Sequence, residues 1–204
     1  MIGDLRVVTR RMADLGFNEE NCQAALGVRP LAYRRLECIL PYRARLRAYG
    51  PLGIAISFWL LQEFISLEEA RQGLGDHAIS VLNQLGWLHV STAGLRSRVD
   101  LYPCRGLYFF TDSANLAFPW SEQVYWLGFD SYTLAYCTPR QPRARALDIC
   151  TGSGIHAILA RTHCQQSLGL DINSRALDFS RLNARLNGLE AEFLLSDCYE
   201  AVEG

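Results

Sequence analysis

Apolar residues recur with helical spacing over most of the first 85 positions, then shift to short runs bounded by turn residues. Residues 3–27 predict two short helices broken at Gly16-Phe17-Asn18. Residues 30–48 carry Leu31, Leu36, Ile39, Leu40 and Leu46 among many arginines, and Pro41 should kink or end a helix there. A helix is expected over 54–65. Ser66 with Glu69 three residues on forms a capping-box pair for a second helix, ending at Gly73 or Gly75. Asp76 is placed to cap a third over 77–85, with Ile79, Leu82 and Leu85 on one face and Gly86 after it. Strands are expected at Trp87–Val90 and Val99–Tyr102 around a polar turn from Ser91 to Ser97, and again at Leu107–Phe110. Three helices and then a β-ribbon is the order of a winged helix.

Near residue 140 the pattern changes to alternating strand and helix. Thr138–Arg145, with two prolines and three arginines, reads as a connector. An apolar strand (Ala146–Cys150) runs into a glycine-rich turn and a helix over 155–161. A second strand (Ser167–Leu170) ends in Asp171, a helix covers about 174–187 and is closed by Asn187-Gly188, and a third strand (Ala191–Leu195) leads to Asp197. This is a β-α-β-α-β half of a doubly wound sheet, with polar residues at the carboxyl ends of its strands. The reading is therefore α/β, with a mainly helical, winged-helix-like domain at 1–120 and half of a Rossmann-like domain at 121–204.

Composition supports a globular chain: 204 residues, half of them hydrophobic, a fifth charged, and a net charge of −1. That balance argues against disorder and against bulk polyanion binding. Every basic residue is Arg, which excludes a lysine Schiff base and a P-loop lysine. The segment 29–47 concentrates Arg29, Arg34, Arg35, Arg43, Arg45 and Arg47 around Glu37, and reads as a solvated face or as a patch for nucleic acid or an acidic partner. The third helix bears no Arg, which speaks against a helix that reads the major groove. Seven cysteines without a C-x-x-C pair suggest neither a disulfide framework nor a zinc ribbon, and no metal site is expected. With no signal-type segment or spanning apolar run, a cytoplasmic protein without a membrane partner is expected.

The candidate chemistry lies in Asp148-Ile-Cys-Thr-Gly-Ser-Gly154. Gly152 and Gly154 permit positive φ and a close ligand approach, and the amides that open the following helix are expected to face the ligand. Asp171, 19 residues after Gly152, is of a type and place to bind ribose hydroxyls. Asp148, four residues before Gly152, would repel a pyrophosphate but attract an ammonium group. A nucleoside with a cationic amino-acid tail, S-adenosylmethionine, suits that set better than a dinucleotide does.

These residues, with Gly169-Leu-Asp-Ile-Asn-Ser-Arg-Ala-Leu177, Asn183-Ala-Arg-Leu-Asn-Gly188 and the upstream Tyr125–Ala135, resemble the class I S-adenosylmethionine-dependent methyltransferases. The likeness covers about 125–200 and is nearest to the small-domain group, which includes the release-factor glutamine methyltransferases. It implies that Asp148 contacts the methionine end of the cofactor. Thr151, Gly152, Ser153 and Gly154 would shape the loop around it. Asp171 and Ile172 would lie at the ribose, and Asp197 and Cys198 at the adenine. Asp130 and Tyr132 would border cofactor or substrate. It implies N-methylation of a protein glutamine or a nucleic-acid base, with protein or nucleic acid as partner. Cys150 and Cys198 read otherwise as small buried residues and His156 as a weak candidate base. Trp120 and Trp126 are of a type that stacks on bases, although core packing is the simpler role.

Family members carry Asn-Pro-Pro-Tyr, or a variant of it, after a fourth strand, and the chain stops at Gly204 before one. A truncated enzyme is therefore expected, with an apolar sheet edge left open for a partner chain. The alternative is a non-catalytic cofactor-binding or partner-binding module. A nicotinamide-dependent dehydrogenase and a winged-helix regulator fit less well.

Overall fold

The computed structural model describes residues 2–29, 31, 39–113 and 122–202. Arg34, Arg35, Leu36, Glu37 and Trp120 lie outside the described residues. The chain divides into two compact units, Met1–Tyr108 and Phe109–Gly204.

In the first unit, α1 (Ile2–Asp14) and α2 (Glu19–Leu26) are separated at the glycine-containing break. The Asn18 side chain accepts from the Asn21 amide at 2.9 Å, and Gly27 closes α2 at φ +71°. Helix α3 (Ile39–Leu46) contains Pro41 and continues through it to Leu46, so the proline does not end the helix. Two of the clustered arginines have local partners. Arg43 pairs with Glu63, and Arg45 donates to the carbonyls of Ala24 (3.1 Å) and Ala25 (3.2 Å) at the negative end of α2.

Helix α4 (Gly50–Trp59) starts four residues earlier than expected, with Pro51 in its first turn, and stops well before 65. It stops because Gln62 takes φ +56° and turns its amide to the Val99 carbonyl (3.2 Å) and to buried Asp100, which also accepts from the Tyr102 hydroxyl (2.6 Å). Helix α5 (Leu67–Gly73) is capped as expected: the Ser66 hydroxyl accepts from the Glu69 amide (3.2 Å), and the Glu69 carboxylate accepts from the Ser66 amide (2.7 Å). Helix α6 (Asp76–Gln84) corrects the expected cap. Gly75 precedes it without a side-chain bond, and Asp76 instead pairs with Arg71 at 3.1 Å. Its buried stripe is Ala78, Val81 and Leu82, with Ile79 and Leu85 only half-buried.

The polar turn expected over 91–97 contracts to two residues, because β1 (Leu88–Ser91) pairs antiparallel with β2 (Gly94–Ser97). Leu95 and Ser97 are buried on one side of β2. Gly94 has φ +119° and passes so close to the Ile65 carbonyl that any Cβ would lie 2.2 Å from its oxygen. Strands β3 (Val99–Cys104) and β4 (Leu107–Asp112) follow, and the division between the units falls inside β4.

The second unit continues with α7 (Phe129–Cys137), β5 (Arg143–Ile149), α8 (Ile155–Ala160), β6 (Cys164–Asp171), α9 (Ser174–Leu186) and β7 (Glu192–Leu195). The three strands form a parallel sheet in the order β5-β6-β7. Asp148 stands opposite Gly169, and Asp171 opposite Leu195. Each crossover is helical, and α8 and α9 touch each other, so both cover one sheet face. Among the described residues β5 pairs only with β6, and Leu147 and Leu195 are 46% and 60% exposed. No helix of the described residues is long and apolar enough to cross a membrane.

The Ser66 cap is directly testable. Replacing Ser66 with Ala should lower the stability of the first unit by about 1 kcal/mol in urea unfolding, since one amide of α5 loses its partner.

Candidate functional site

Strands β5, β6 and β7 run parallel, so their carboxyl ends and the loops that leave them lie at one end of the sheet. The loop from β5 to α8 reverses within five residues. Cys150, Gly152 and Gly154 all take positive φ, at +58°, +56° and +82°. Glycine meets that demand without strain at two of the three positions.

Two carboxylates fasten the loop. Asp148 Oδ2 accepts from the Thr151 hydroxyl (2.6 Å) and from the Ala157 amide (3.0 Å). Asp171 Oδ2 accepts from the Gly152 amide (2.8 Å), and its Oδ1 from the Asn173 amide (2.9 Å). The Thr151 amide reaches the Leu170 carbonyl and the Gly154 amide that of Thr151, both at 2.9 Å. Of the amides that open α8, that of Ala157 is engaged by Asp148, as those of Gly152 and Gly154 are within the loop. The site also presents carboxylate oxygen. Among the described residues no hydrogen bond reaches Asp148 Oδ1, and each Asp171 oxygen accepts a single amide and keeps a second acceptor direction.

The other side of the loop rests on α9. Ser180 donates to the Gly152 carbonyl (2.8 Å), and Asn183 to that of Ser153 (2.9 Å). A Cβ on Gly154 would lie 2.9 Å from that of Ser180, whereas one on Gly152 would meet nothing within 4 Å. The loop is closed toward α9 at Gly154 and open at Gly152.

The charges follow from burial. Desolvation raises the Asp148 carboxyl above its ordinary range, partly offset by its hydrogen bonds and by His156. Burial holds His156 below its ordinary value, against the pull of Asp148 and Asp130 and with the help of Arg140. Asp130 is exposed in the first turn of α7, where its charge also raises the Tyr125 hydroxyl behind a larger effect of burial.

The remaining residues singled out in the sequence divide into two groups. Thr151 and Ser153 are buried within the loop. Ile172 (71% exposed), Asp197 and Cys198 line the open side past β6 and β7. Cys198 takes φ +47°, and its thiol is raised by the hydrogen bond it donates to Asp197 and by that carboxylate's charge. Cys150 and Cys198 are exposed, contrary to their reading as buried residues. Tyr132 is 1% exposed and belongs to the core. Trp126 stacks on Tyr125 at 4.5 Å between ring centroids. Among the described residues no cluster of three or more His, Cys, Asp or Glu is arranged to hold a metal.

Sequence reasoning missed the supports of the loop: Ser180 and Asn183 on α9, and the ion pair of Arg175 with buried Asp112. One signal was available. Ser180 and Asn183 are polar, three residues apart, on the stripe of α9 that carries Ala176, Leu177 and Ala184.

Residues 127–204 match the methyltransferase small domain. Over 64 residues the chain is 41% identical to the ribosomal protein L11 methyltransferase of Caldicellulosiruptor bescii and 44% identical to that of Ralstonia pickettii. Each match covers 31% of this chain and 21% of the relative, so the chain spans about a fifth of the length of these curated relatives. Among solved structures, the Pyrococcus abyssi tRNA (uracil-54, C5)-methyltransferase in complex with S-adenosyl-L-homocysteine is 17% identical, with a TM-score of 0.35 over 50% of this chain and 24% of that one. The stretch that matches the methyltransferase small domain thus lies in the second unit, on a parallel, helix-crossed sheet.

The contrast between the two glycines yields a prediction. Gly154→Ala, strained in φ and pressed onto Ser180, should destabilise the second unit by about 2 kcal/mol or more, and Gly152→Ala by about 1, in denaturant unfolding followed by tryptophan fluorescence.

Proposed function

We propose that the chain forms the cofactor-binding part of an S-adenosylmethionine-dependent methyltransferase. One observation carries the reading: the loop uses two carboxylates for its own closure and leaves acceptor positions on both. Asp148 Oδ1 suits an ammonium group, and the two Asp171 oxygens suit the vicinal hydroxyls of a ribose. The opening at Gly152 leaves room for the ligand between them. The donor set fits a nucleoside with a cationic tail. When bound, that cofactor supplies an activated methyl on a sulfonium sulfur. The chain's own residues orient the tail and sugar, and Asp148, once ionised, offsets the tail's charge.

The acceptor is proposed to be a nitrogen of a protein side chain, with a nucleic-acid base as the second choice, and a glutamine amide is the specific form that the release-factor group would imply. The names of the L11 methyltransferases, which match this chain over 64 residues, support a protein acceptor. The first unit, with α4, α5, α6 and the β1–β2 hairpin in the order of a winged helix, is proposed to recognise that substrate.

Calorimetric titration with S-adenosylhomocysteine tests the reading. Micromolar binding that is lost in Asp171→Ala is expected, and absence of binding to the folded chain would refute it. The pH dependence is a second expectation. The Asp148 carboxyl is raised in the folded protein, so it stays neutral to a higher pH than an exposed carboxyl. Its neutral form thus favours folding below the unfolded value, and that contribution is lost as pH rises through the folded value. Ligand binding follows the opposite course: affinity should rise with pH through the same window, as the ionised form meets the ammonium. Asp148→Asn should flatten that rise and weaken binding at neutral pH by about tenfold.

A further inference from the structure

Asn183 is completely buried on α9 and meets all of its near hydrogen-bonding demands with backbone groups. Its Oδ1 accepts from the Phe110 amide at 2.8 Å, and its Nδ2 donates to the Phe110 carbonyl at 2.9 Å. The carboxamide therefore engages Phe110 as a neighbouring strand residue would. The second Nδ2 hydrogen goes to the Ser153 carbonyl at 2.9 Å. The next amide, that of Gly154, is held by the Thr151 carbonyl at 2.9 Å, so the peptide between Ser153 and Gly154 is fixed at both ends. Phe110 lies in β4, whose last residue, Asp112, pairs with Arg175 two turns earlier on α9 and accepts from the Val124 amide at 2.8 Å.

We propose that Asn183 is a positioning residue that joins the cofactor loop to β4, so that occupancy of the loop is registered at Phe110. This rests on the cofactor reading given above. One side chain bonds the loop carbonyl and both backbone groups of Phe110, and a shift of the Ser153 carbonyl on ligand binding displaces the same carboxamide that holds the strand. Ser180 supports the loop one turn away, through the Gly152 carbonyl, without touching β4 in this way.

The test is an isotope-edited NMR titration of the 204-residue chain with S-adenosylhomocysteine, read at backbone amides and at side-chain NH2 groups. In the native sequence the Asn183 NH2 and the Phe110 amide should both shift on saturation, together with Gly152. In Asn183→Ala the Gly152 amide should still shift, the Phe110 amide should not, and affinity should fall about tenfold, the usual effect of stranding a buried hydrogen-bond partner. Asn183→Asp retains the acceptor for the Phe110 amide but lacks the two donated bonds, and gives the same reading should the alanine variant fail to fold. Ser180→Ala should weaken binding while leaving the Phe110 shift intact. A Phe110 amide that ignores the ligand in the native chain, or shifts equally in the Asn183 variants, overturns the proposal alone. A native chain that does not bind the ligand overturns the cofactor reading and this proposal together.

Discussion

The site depends on a backbone that reverses sharply between β5 and α8 through three residues of positive φ. Such a loop does not hold its shape unaided. It is fixed on one side by the carboxylates of Asp148 and Asp171, and on the other by the side chains of Ser180 and Asn183. The first pair draws the loop onto the ends of β5 and β6, and the second ties its carbonyls to α9. Each carboxylate closes the loop with part of its acceptor capacity and keeps the rest. On the proposed reading, folding and ligand recognition use the same two residues.

Burial sharpens that double use. Asp148 lies deep enough for desolvation to raise its carboxyl, yet the Thr151 hydroxyl and the Ala157 amide keep the ionised form accessible. A nearby cation completes the compensation. His156, depressed by burial beside it, adds no standing positive charge to compete with that cation near neutral pH.

Much of this was legible in the sequence because the relevant signals are local. The break at Gly16, the Ser66–Glu69 box, the alternation of strands with α8 and α9, and the glycine loop with its flanking acids are each set by neighbouring residues. Misses arose where tertiary contacts decide. Helix α4 ends early because Gln62 bonds to Val99 and Asp100, almost forty residues away in the chain. Strand β2 pairs with β1, and its Leu95 also bridges to Ile65, contacts that a polar-looking stretch does not reveal. Asn183 was visible as part of a motif and of a polar pair on α9, but not its role, since its partners, Phe110 and Ser153, come from distant parts of the sequence.

The central claim is that Asp148 and Asp171 receive the amino-acid tail and the ribose of one ligand. A crystal structure of the chain with S-adenosylhomocysteine tests it most directly. The account predicts both ribose hydroxyls within hydrogen-bond distance of Asp171 and the ligand's ammonium nearer Asp148 Oδ1 than any other carboxylate oxygen. A ligand seated elsewhere, or one with its ribose away from Asp171, would contradict it.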